Sequence, residues 1–335
     1  MNLFIFVMGL MIAGFMPYAV ATSDKGVFVE RQPCSAVYEP SGIVQLFDAR
    51  ILVVEDEQQN PISLMALDDA LVASVQPLQS HAFFSVLSGK GSLGVLADLE
   101  GVAQDEQGFI YVITSHSRTH NGKRSKAREK LVRFKVDGLG VRDVTVVNHL
   151  RKEMTKLNDA LKTAGKARDV KQDGGFNIEG LSFDQHKKRL LIGLRSPVIN
   201  KKAVLLVLKN PKAVFEQDAR PDFKKTPIYL DLDKGGIRSI TFDPYLKGYL
   251  IVSHHEKKGK KFKLWWWSGQ ESQAPRRVRI AGKLDLSNAE GITPIRDGGG
   301  EKLMIVFDVG SPSKRNRGCY AVVPYSQLKV EGGVE

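Results

Sequence analysis

Short apolar runs separated by turn residues dominate the chain. The segment that begins near residue 100 has four of them, at 100–105, 109–114, 130–136 and 141–147. The runs are rich in β-branched and aromatic residues and are bounded by Gly, Asp, Asn and Pro, which is typical of strands. The same order recurs over 178–232 and 237–281. Repeated four-stranded units predict the blades of a β-propeller, an all-β fold.

A short sequence motif recurs at the start of each unit and predicts the number of blades. The aligned residues are Ser41, Glu100, Glu179, Arg238 and Glu290, spaced by 59, 79, 59 and 52 residues. In four of these five phrases the next residue is Gly, which would allow the inner strands to approach closely near the axis. Five repeats predict five four-stranded blades.

The two ends of the chain are expected to close the ring. The fifth unit has only three strand-like runs, whereas 26–31 is a strand-like run that precedes the first unit. We therefore predict that this N-terminal strand completes the last blade. The pairing would bring Cys34 close to Cys319, and in an exported protein an even cysteine count favours a disulfide between them. Two free buried thiols are the alternative.

The longest interval contains an insertion, 119–176, between the cores of the second and third repeats. Its part 148–165 has helical composition, with Leu150, Met154, Leu157 and Leu161 spaced by four, three and four residues. Gly165 is expected to end this helix. Whether the insertion builds a sixth blade stays open.

The N-terminus has the features of a signal peptide, which we assign to residues 1–21. An apolar run, 3–16, is followed by Pro17 and by the small residues Ala19-Val20-Ala21. A retained membrane anchor is the alternative. We expect the remainder, 22–335, to be a single propeller domain that is exported to the periplasm or secreted. We also expect a monomer with no membrane span once the signal is removed.

The net charge of +12 raises the question of whether the chain binds nucleic acid. Much of the basic charge lies in 120–135, 151–171 and 257–263. We interpret these segments as solvated loops and helix faces, so nucleic acid is not an expected partner.

Propeller geometry predicts which side chains share one face, because the start of the first strand and the end of the second lie at the same end of a blade. Besides the aligned residues, this face would gather polar residues that follow the second strands. We predict ligand contacts from Asp56, Arg118, Arg195, Arg238, His254 and Asp308, with His116 as an acid or base. His254 and His255 are adjacent on a strand, so at most one of them can face the site.

Three of the aligned residues are carboxylates that would repel one another in one channel mouth. Glu100, Glu179 and Glu290 are therefore candidate ligands of Ca²⁺ or another divalent cation, for which carboxylate oxygens are suitable. Alternatively, Arg238 neutralises its neighbours in the ring. The chain has no Gly-x-Ser-x-Gly, phosphate-loop or dinucleotide pattern.

Several strings resemble the bacterial family called domain of unknown function 3616. They are Leu99-Glu100-Gly101-Val102, Thr114-Ser115-His116-Ser117-Arg118 followed by Gly122-Lys123-Arg124 and Arg128, Asn177-Ile178-Glu179-Gly180, Gly193-Leu194-Arg195-Ser196-Pro197, Gly236-Ile237-Arg238-Ser239-Ile240 and Asn288-Ala289-Glu290-Gly291-Ile292. The resemblance implies a propeller-like fold but no established activity. The Glu-Gly strand starts are also similar to those of esterase-like phytase proteins and calcium-dependent gluconolactonase-type propellers, at the level of the fold.

Two functions follow from these observations. We expect an exported propeller whose polar Glu/Arg/His face binds a small anionic ligand or a peptide. The alternative is a cation-dependent hydrolase of the phosphoesterase or lactonase type. In that case the three glutamates would hold the metal, His116 would act as base, and the arginines would hold anionic groups.

Overall fold

The computed structural model describes residues 29–34, 37–56, 61–78, 96–168, 170, 174–255, 261–282, 284–297, 300–310 and 316–333. The predicted signal peptide, 1–21, lies outside these residues. None of the helices described is long and apolar enough to cross a membrane.

Within these residues, five antiparallel sheets surround a common axis as the blades of a propeller. Blade 1 contains β2 (Pro40–Gln45), β3 (Ile51–Glu55), β4 (Ile62–Leu67) and β5 (Ala73–Pro77). Blade 2 contains β6 (Leu99–Gln104), β7 (Ile110–Thr114), β8 (Leu131–Asp137) and β9 (Gly140–Val147). Blade 3 contains β10 (Asn177–Asp184), β11 (Arg189–Ile199), β12 (Lys202–Leu208) and β13 (Ile228–Leu230).

The last two blades are built partly from the ends of the chain. Blade 4 contains β14 (Gly236–Asp243), β15 (Gly248–His254), β16 (Phe262–Trp267) and β17 (Arg276–Ile280), with β21 (Leu328–Val330) added at its outer edge. Blade 5 contains β18 (Ala289–Asp297), β19 (Gly300–Phe307), β20 (Cys319–Pro324) and, outermost, β1 (Val29–Pro33). The predicted five-bladed fold and its closure by an N-terminal strand are confirmed, whereas β21 was not predicted.

The insertion forms two short helices where the sequence predicts one. Helix α1 (Leu150–Met154) ends before Thr155, and α2 (Asp159–Lys166) begins after Asn158. The Asn158 side chain accepts a hydrogen bond of 2.9 Å from the Leu161 backbone N–H. This N-cap starts a new helix and satisfies one of its unpaired donors, so the helical pattern is interrupted. A third helix, α3 (Pro211–Gln217), lies between β12 and β13.

The hydrophobic core lies in layers between neighbouring blades. One cluster, for example, joins side chains of blades 1 and 2, and another joins blades 3 and 4. The inner strands approach closely enough to require glycine. A Cβ atom on Gly101 would lie 2.9 Å from the Leu181 backbone nitrogen, and one on Gly42 would lie 3.0 Å from the Glu100 carbonyl oxygen. The Gly that follows the aligned polar residue therefore sets the diameter of the ring.

The predicted disulfide is not formed, because Cys34 and Cys319 are both free thiols. Strand β1 does bring them close, but its register places Cys319 opposite Pro33. Neighbouring residues of a strand point to opposite faces of the sheet. Cys34 therefore packs between blades 5 and 1, whereas Cys319 packs between blades 4 and 5. Burial raises the pKa of Cys34 to about 12 and also raises the pKa of Cys319.

Thiol titration without reductant tests this arrangement. We expect two reactive thiols after denaturation and none in the native protein, because both thiols are buried and protonated at neutral pH. A denatured, unreduced sample with no titratable thiol would contradict the structure.

Candidate functional site

A cavity of about 470 Å³ lies at the axial face where the inner strands begin. Its wall combines residues from the starts of the inner strands, the ends of the second strands and the insertion. The charged residues that line it are Asp56, Asp98, Glu100, Arg118, Arg128, Arg168, Glu179, Arg195, Arg238, Glu290 and Asp308, together with His120.

The structure brings together most of the residues predicted from the sequence. Of the predicted ligand contacts, Asp56, Arg118, Arg195, Arg238 and Asp308 line the cavity. All three predicted metal ligands, Glu100, Glu179 and Glu290, line it as well. The two predicted histidines, His116 and His254, are not among the lining residues.

A buried guanidinium links three consecutive blades at the axis. Arg238, on β14, has its Nε 2.6 Å from Glu290 Oε2 and 2.8 Å from Glu179 Oε2. Its Nη1 donates a hydrogen bond of 2.9 Å to Glu179 Oε1, and its Nη2 donates to Glu290 Oε1. The side chains of Arg238, Glu179 and Glu290 are at most 10% exposed. Low solvent access makes these ion pairs strong, and removing one partner would leave a buried charge uncompensated.

Two further arginines of the wall are also paired. Arg195 Nη1 donates a hydrogen bond of 2.8 Å to Glu179 Oε1, so Glu179 contacts two guanidinium groups. On blade 2, Arg128 Nη1 lies 2.9 Å from Asp98 Oδ2, which also accepts a hydrogen bond of 3.0 Å from Ser117 Oγ. Arg128, Arg195 and Arg238 are thus matched by Asp98, Glu179 and Glu290.

The Glu100 carboxyl group makes no hydrogen bond or ion pair with the described residues of the chain. Burial strongly raises the pKa of Glu100, and the charges of Glu179 and Asp98 raise the pKa further. Glu100 is therefore protonated at higher pH than an exposed glutamate. Burial also raises the pKa of Asp308, which the positive charge of Arg238 partly offsets. Like Glu100, the Asp308 side chain has no hydrogen bond or ion pair to the part of the chain described.

Two guanidinium groups on the opposite part of the wall have no carboxylate partner among the described residues. Arg118 Nη1 donates a hydrogen bond of 3.0 Å to the Gly122 carbonyl oxygen, while its buried Nε has no partner in the described part of the chain. Arg168, which follows α2, is exposed and lies beside Gly122. These two arginines can offer their donors to a bound anion.

Most of the net positive charge of the chain lies in one segment of the sequence. Residues 118–168 contain fifteen Lys and Arg against five Asp and Glu, which gives +10 of the total of +12. Arg118, Arg128 and Arg168 of this segment line the cavity, whereas Lys135 and Arg142 lie near Gly108, at the opposite end of blade 2.

His116 is placed away from the cavity, which does not support the predicted acid–base role. Ser115 and Ser117 both hydrogen-bond to Asp98 in the cavity wall, whereas His116 is not among the residues that line the cavity. The imidazole is fully buried, and its Nδ1 lies 2.9 Å from the Thr114 carbonyl oxygen. Burial lowers the pKa of His116 to about 4, so the ring is neutral at physiological pH.

His254 also lies outside the cavity wall. Its ring stacks on Phe262 at a centroid distance of 4.3 Å. The two rings belong to the paired strands β15 and β16, where His254 is directly opposite Phe262. The strand pairing holds the imidazole against this neighbour, and so the predicted ligand contact is not supported.

Sequence reasoning missed Asp98, Arg168 and Asn177 as residues of the wall. Asp98 and Asn177 precede the predicted Glu residues by only two positions, so a wider window around each strand start would have included them. Arg168 comes from the insertion, where no repeat pattern predicts the direction of a side chain.

Within the described ranges, no group of three or more His, Cys, Asp or Glu residues is placed to hold a metal ion. The guanidinium of Arg238 lies between Glu179 and Glu290, which is the alternative means of charge balance left open by the sequence. A metal on these glutamates would have to displace Arg238. The site for Ca²⁺ or another divalent cation stays a prediction.

Comparison with protein families gives a match over residues 146–252, a segment that runs from the end of β9 to β15. The matching family is described as "Protein of unknown function (DUF3616)". This confirms the predicted resemblance over that segment. The DUF3616 match includes Arg168, Asn177, Glu179, Arg195 and Arg238 of the cavity wall. Comparison with curated protein sequences gives no match.

Similar solved structures include several enzymes at low identity. A PQQ-bound aldose sugar dehydrogenase from Streptomyces coelicolor is 14% identical with a TM-score of 0.44, over 90% of this chain and 97% of that chain. A GH43 β-1,3-galactosidase with galactodeoxynojirimycin is 9% identical with a TM-score of 0.49, over 88% and 94% of the two chains. The Malassezia sympodialis allergen Mala s 1 is 15% identical with a TM-score of 0.41, over 88% and 79%. These similarities carry no information on the ligand or activity of this chain.

Replacement of Arg238 by Met tests the ion pairs at the axis. We expect Arg238→Met to lower the free energy of unfolding by ~3–5 kcal/mol, because Glu179 and Glu290 would stay buried without their partner. Urea denaturation followed by circular dichroism would measure the change. The control is Arg279→Met, which removes an arginine 70% exposed that pairs with Glu331. A loss no larger than that of the control would contradict the assigned role.

The pH dependence of Glu100→Gln tests the raised pKa of Glu100. The folded state retains the Glu100 proton at pH values where the unfolded chain has lost it, so wild-type stability falls as pH rises through that interval. The variant lacks this loss and should gain stability relative to the wild type between about pH 5 and about pH 8.

Urea denaturation at both pH values would measure this effect. Glu106→Gln is the control, because the nearby Lys188 lowers the pKa of the exposed Glu106. A difference between Glu100→Gln and wild type that is independent of pH would contradict the assignment.

Proposed function

We propose that the axial cavity binds a small anionic ligand, whose negative group is held by Arg118, Arg168 and Arg195. The main support is that two arginines of the wall remain without a carboxylate partner among the described residues after the ion pairs within the wall are counted. Arg118 and Arg168 line the cavity, and no ion pair joins either guanidinium to a carboxylate among the described residues. Arg195 stands beside them with one donor already on Glu179.

The chemistry of guanidinium favours this ligand class. Its planar donors match the oxygens of a carboxylate or phosphate, and charge-assisted hydrogen bonds are stronger than neutral ones. Arg195 is 22% exposed at its side chain, so a ligand there would be shielded from part of the solvent. Partial burial reduces screening by salt and strengthens the contact.

The size of the cavity supports a small ligand. A volume of about 470 Å³ is comparable with that of small-molecule sites, which use a few fixed polar groups to orient the ligand. The ion pairs of Arg238 and Arg195 hold the wall in place before binding, so little side-chain ordering is needed. Export of the protein and its monomeric state stay predictions.

Anion titrations of the wild type and two variants would test the function. Inorganic phosphate, succinate and citrate are titrated at constant ionic strength by calorimetry, with glucose as the neutral probe. We expect at least one of the anions to bind and glucose not to bind. Arg118→Gln and Arg168→Gln should each weaken the anion by ~10–100-fold, which corresponds to one charge-assisted hydrogen-bonding group.

Arg279→Gln is the matched control, since it removes the same charge from an exposed pair far along the chain. If the Arg118 and Arg168 variants bind the anion as tightly as Arg279→Gln does, the proposed site is wrong. The absence of binding by all three anions would also contradict the proposal.

A further inference from the structure

We propose that the ligand of the axial cavity is a short peptide with both termini free, its carboxylate on the arginines and its amino group on Asp308. The carboxylate end rests on the function proposed above. The amino end and the peptide character rest on separate features of the wall.

The first of these features is the separation of unmatched charges. Arg118 belongs to blade 2 and Arg168 to the insertion, whereas Asp308 follows β19 in blade 5. Blade 1 lies between blades 2 and 5 in the ring, and no ion pair joins Asp308 to Arg118 or Arg168 among the described residues. A ligand with opposite charges at its two ends would supply both missing partners.

Asp308 is suited to an ammonium group. It lines the cavity, and no hydrogen bond or ion pair of its carboxylate is present among the residues described. The acids that do have arginine partners, Glu179 and Glu290, keep Arg238 occupied. A partly buried carboxylate beside a committed guanidinium gains most from a new cation, because a charge-assisted hydrogen bond is worth more there than in water.

A second, independent feature points to a peptide amide. Asn177 lines the cavity and is only 6% exposed. Its Nδ2 donates a hydrogen bond of 3.2 Å to Glu179 Oε1, but its buried Oδ1 has no partner among the residues that the structure describes. Buried acceptors are rarely left unpaired. A backbone N–H of a bound peptide would satisfy this oxygen, whereas a fully ionised dicarboxylate has no donor to offer.

The wall also favours a short chain. Each residue of an extended peptide adds ~3.3–3.6 Å, so two to four residues are enough to place the termini on different blades. The cavity of about 470 Å³ has room for a ligand of this size class. Longer chains would have to leave through the cavity mouth, and their amino group would lie outside it.

Capped peptides separate the contributions of the two termini. Trialanine, N-acetyl-trialanine and trialanine amide are titrated into the intact protein by calorimetry. We expect trialanine to bind, and acetylation or amidation each to weaken binding by ~10-fold or more, because each removes one charge-assisted contact. Dialanine and tetraalanine then define the preferred length.

The variants assign each end to its partner. Asp308→Asn should bind trialanine and N-acetyl-trialanine with equal affinity, since the acetyl group no longer removes a contact. Asn177→Ala should weaken the binding of both peptides more than that of succinate, because only the peptides offer a backbone N–H to Asn177 Oδ1. Asp222→Asn is the control, because Asp222 is an exposed acid paired with Lys209. Circular dichroism of each variant verifies folding. If Asp308→Asn does not fold, the binding of the capped peptides to the wild type still tests the contact of the peptide amino group.

The outcomes distinguish the two proposals. Equal binding of trialanine and its acetylated form to the wild type, or binding of succinate but not of trialanine, would overturn the peptide inference and leave the anion site intact. Equal binding of trialanine and its amide would also overturn the peptide inference, because the peptide carboxylate would then not contact the arginines. The anion site itself is overturned only by the anion titrations described above.

Discussion

The axial site depends on one buried guanidinium. Arg238 lies between Glu179 and Glu290, and the three side chains come from consecutive blades. Without this cation, two carboxylates would be buried close together in a region with little water, at a cost of several kcal/mol. With Arg238 present, the charged residues that the repeat places around the axis form ion pairs that link neighbouring blades. Arg238 therefore both links neighbouring blades at the axis and balances the charge of the two glutamates.

These ion pairs determine which charged side chains of the cavity wall can contact a ligand. Once Arg128, Arg195 and Arg238 are matched by acids, Arg118 and Arg168 face the cavity without carboxylate partners in the described part of the chain. The paired residues hold one another in place, and the unmatched ones are the groups that we propose contact the ligand. Pre-organised donors around a small cavity are an efficient means of recognising an anion, because little conformational freedom is lost on binding.

Repetition made the fold predictable from the sequence, since five equivalent phrases place five polar side chains around one axis. For the same reason, Glu100, Glu179, Arg238 and Glu290 were found as site residues. Prediction was weaker where no repeat applies. The insertion delivers Arg168 and divides its helix at Asn158, and a register offset of one residue places the two thiols on opposite faces of a sheet. For His116, the sequence does not show that the ring is buried outside the cavity wall, because side-chain direction in an irregular segment depends on local contacts that composition does not encode.

A double-mutant cycle between Arg238 and Glu290 is the most direct test of the central claim. Urea denaturation would give the free energies of unfolding for wild type, Arg238→Met, Glu290→Gln and the double variant. If the guanidinium and carboxylate compensate each other, the coupling energy should exceed ~1 kcal/mol, with the double variant more stable than the sum of the single losses implies. Additivity within ~0.5 kcal/mol would contradict the claim that this pair holds the hub together.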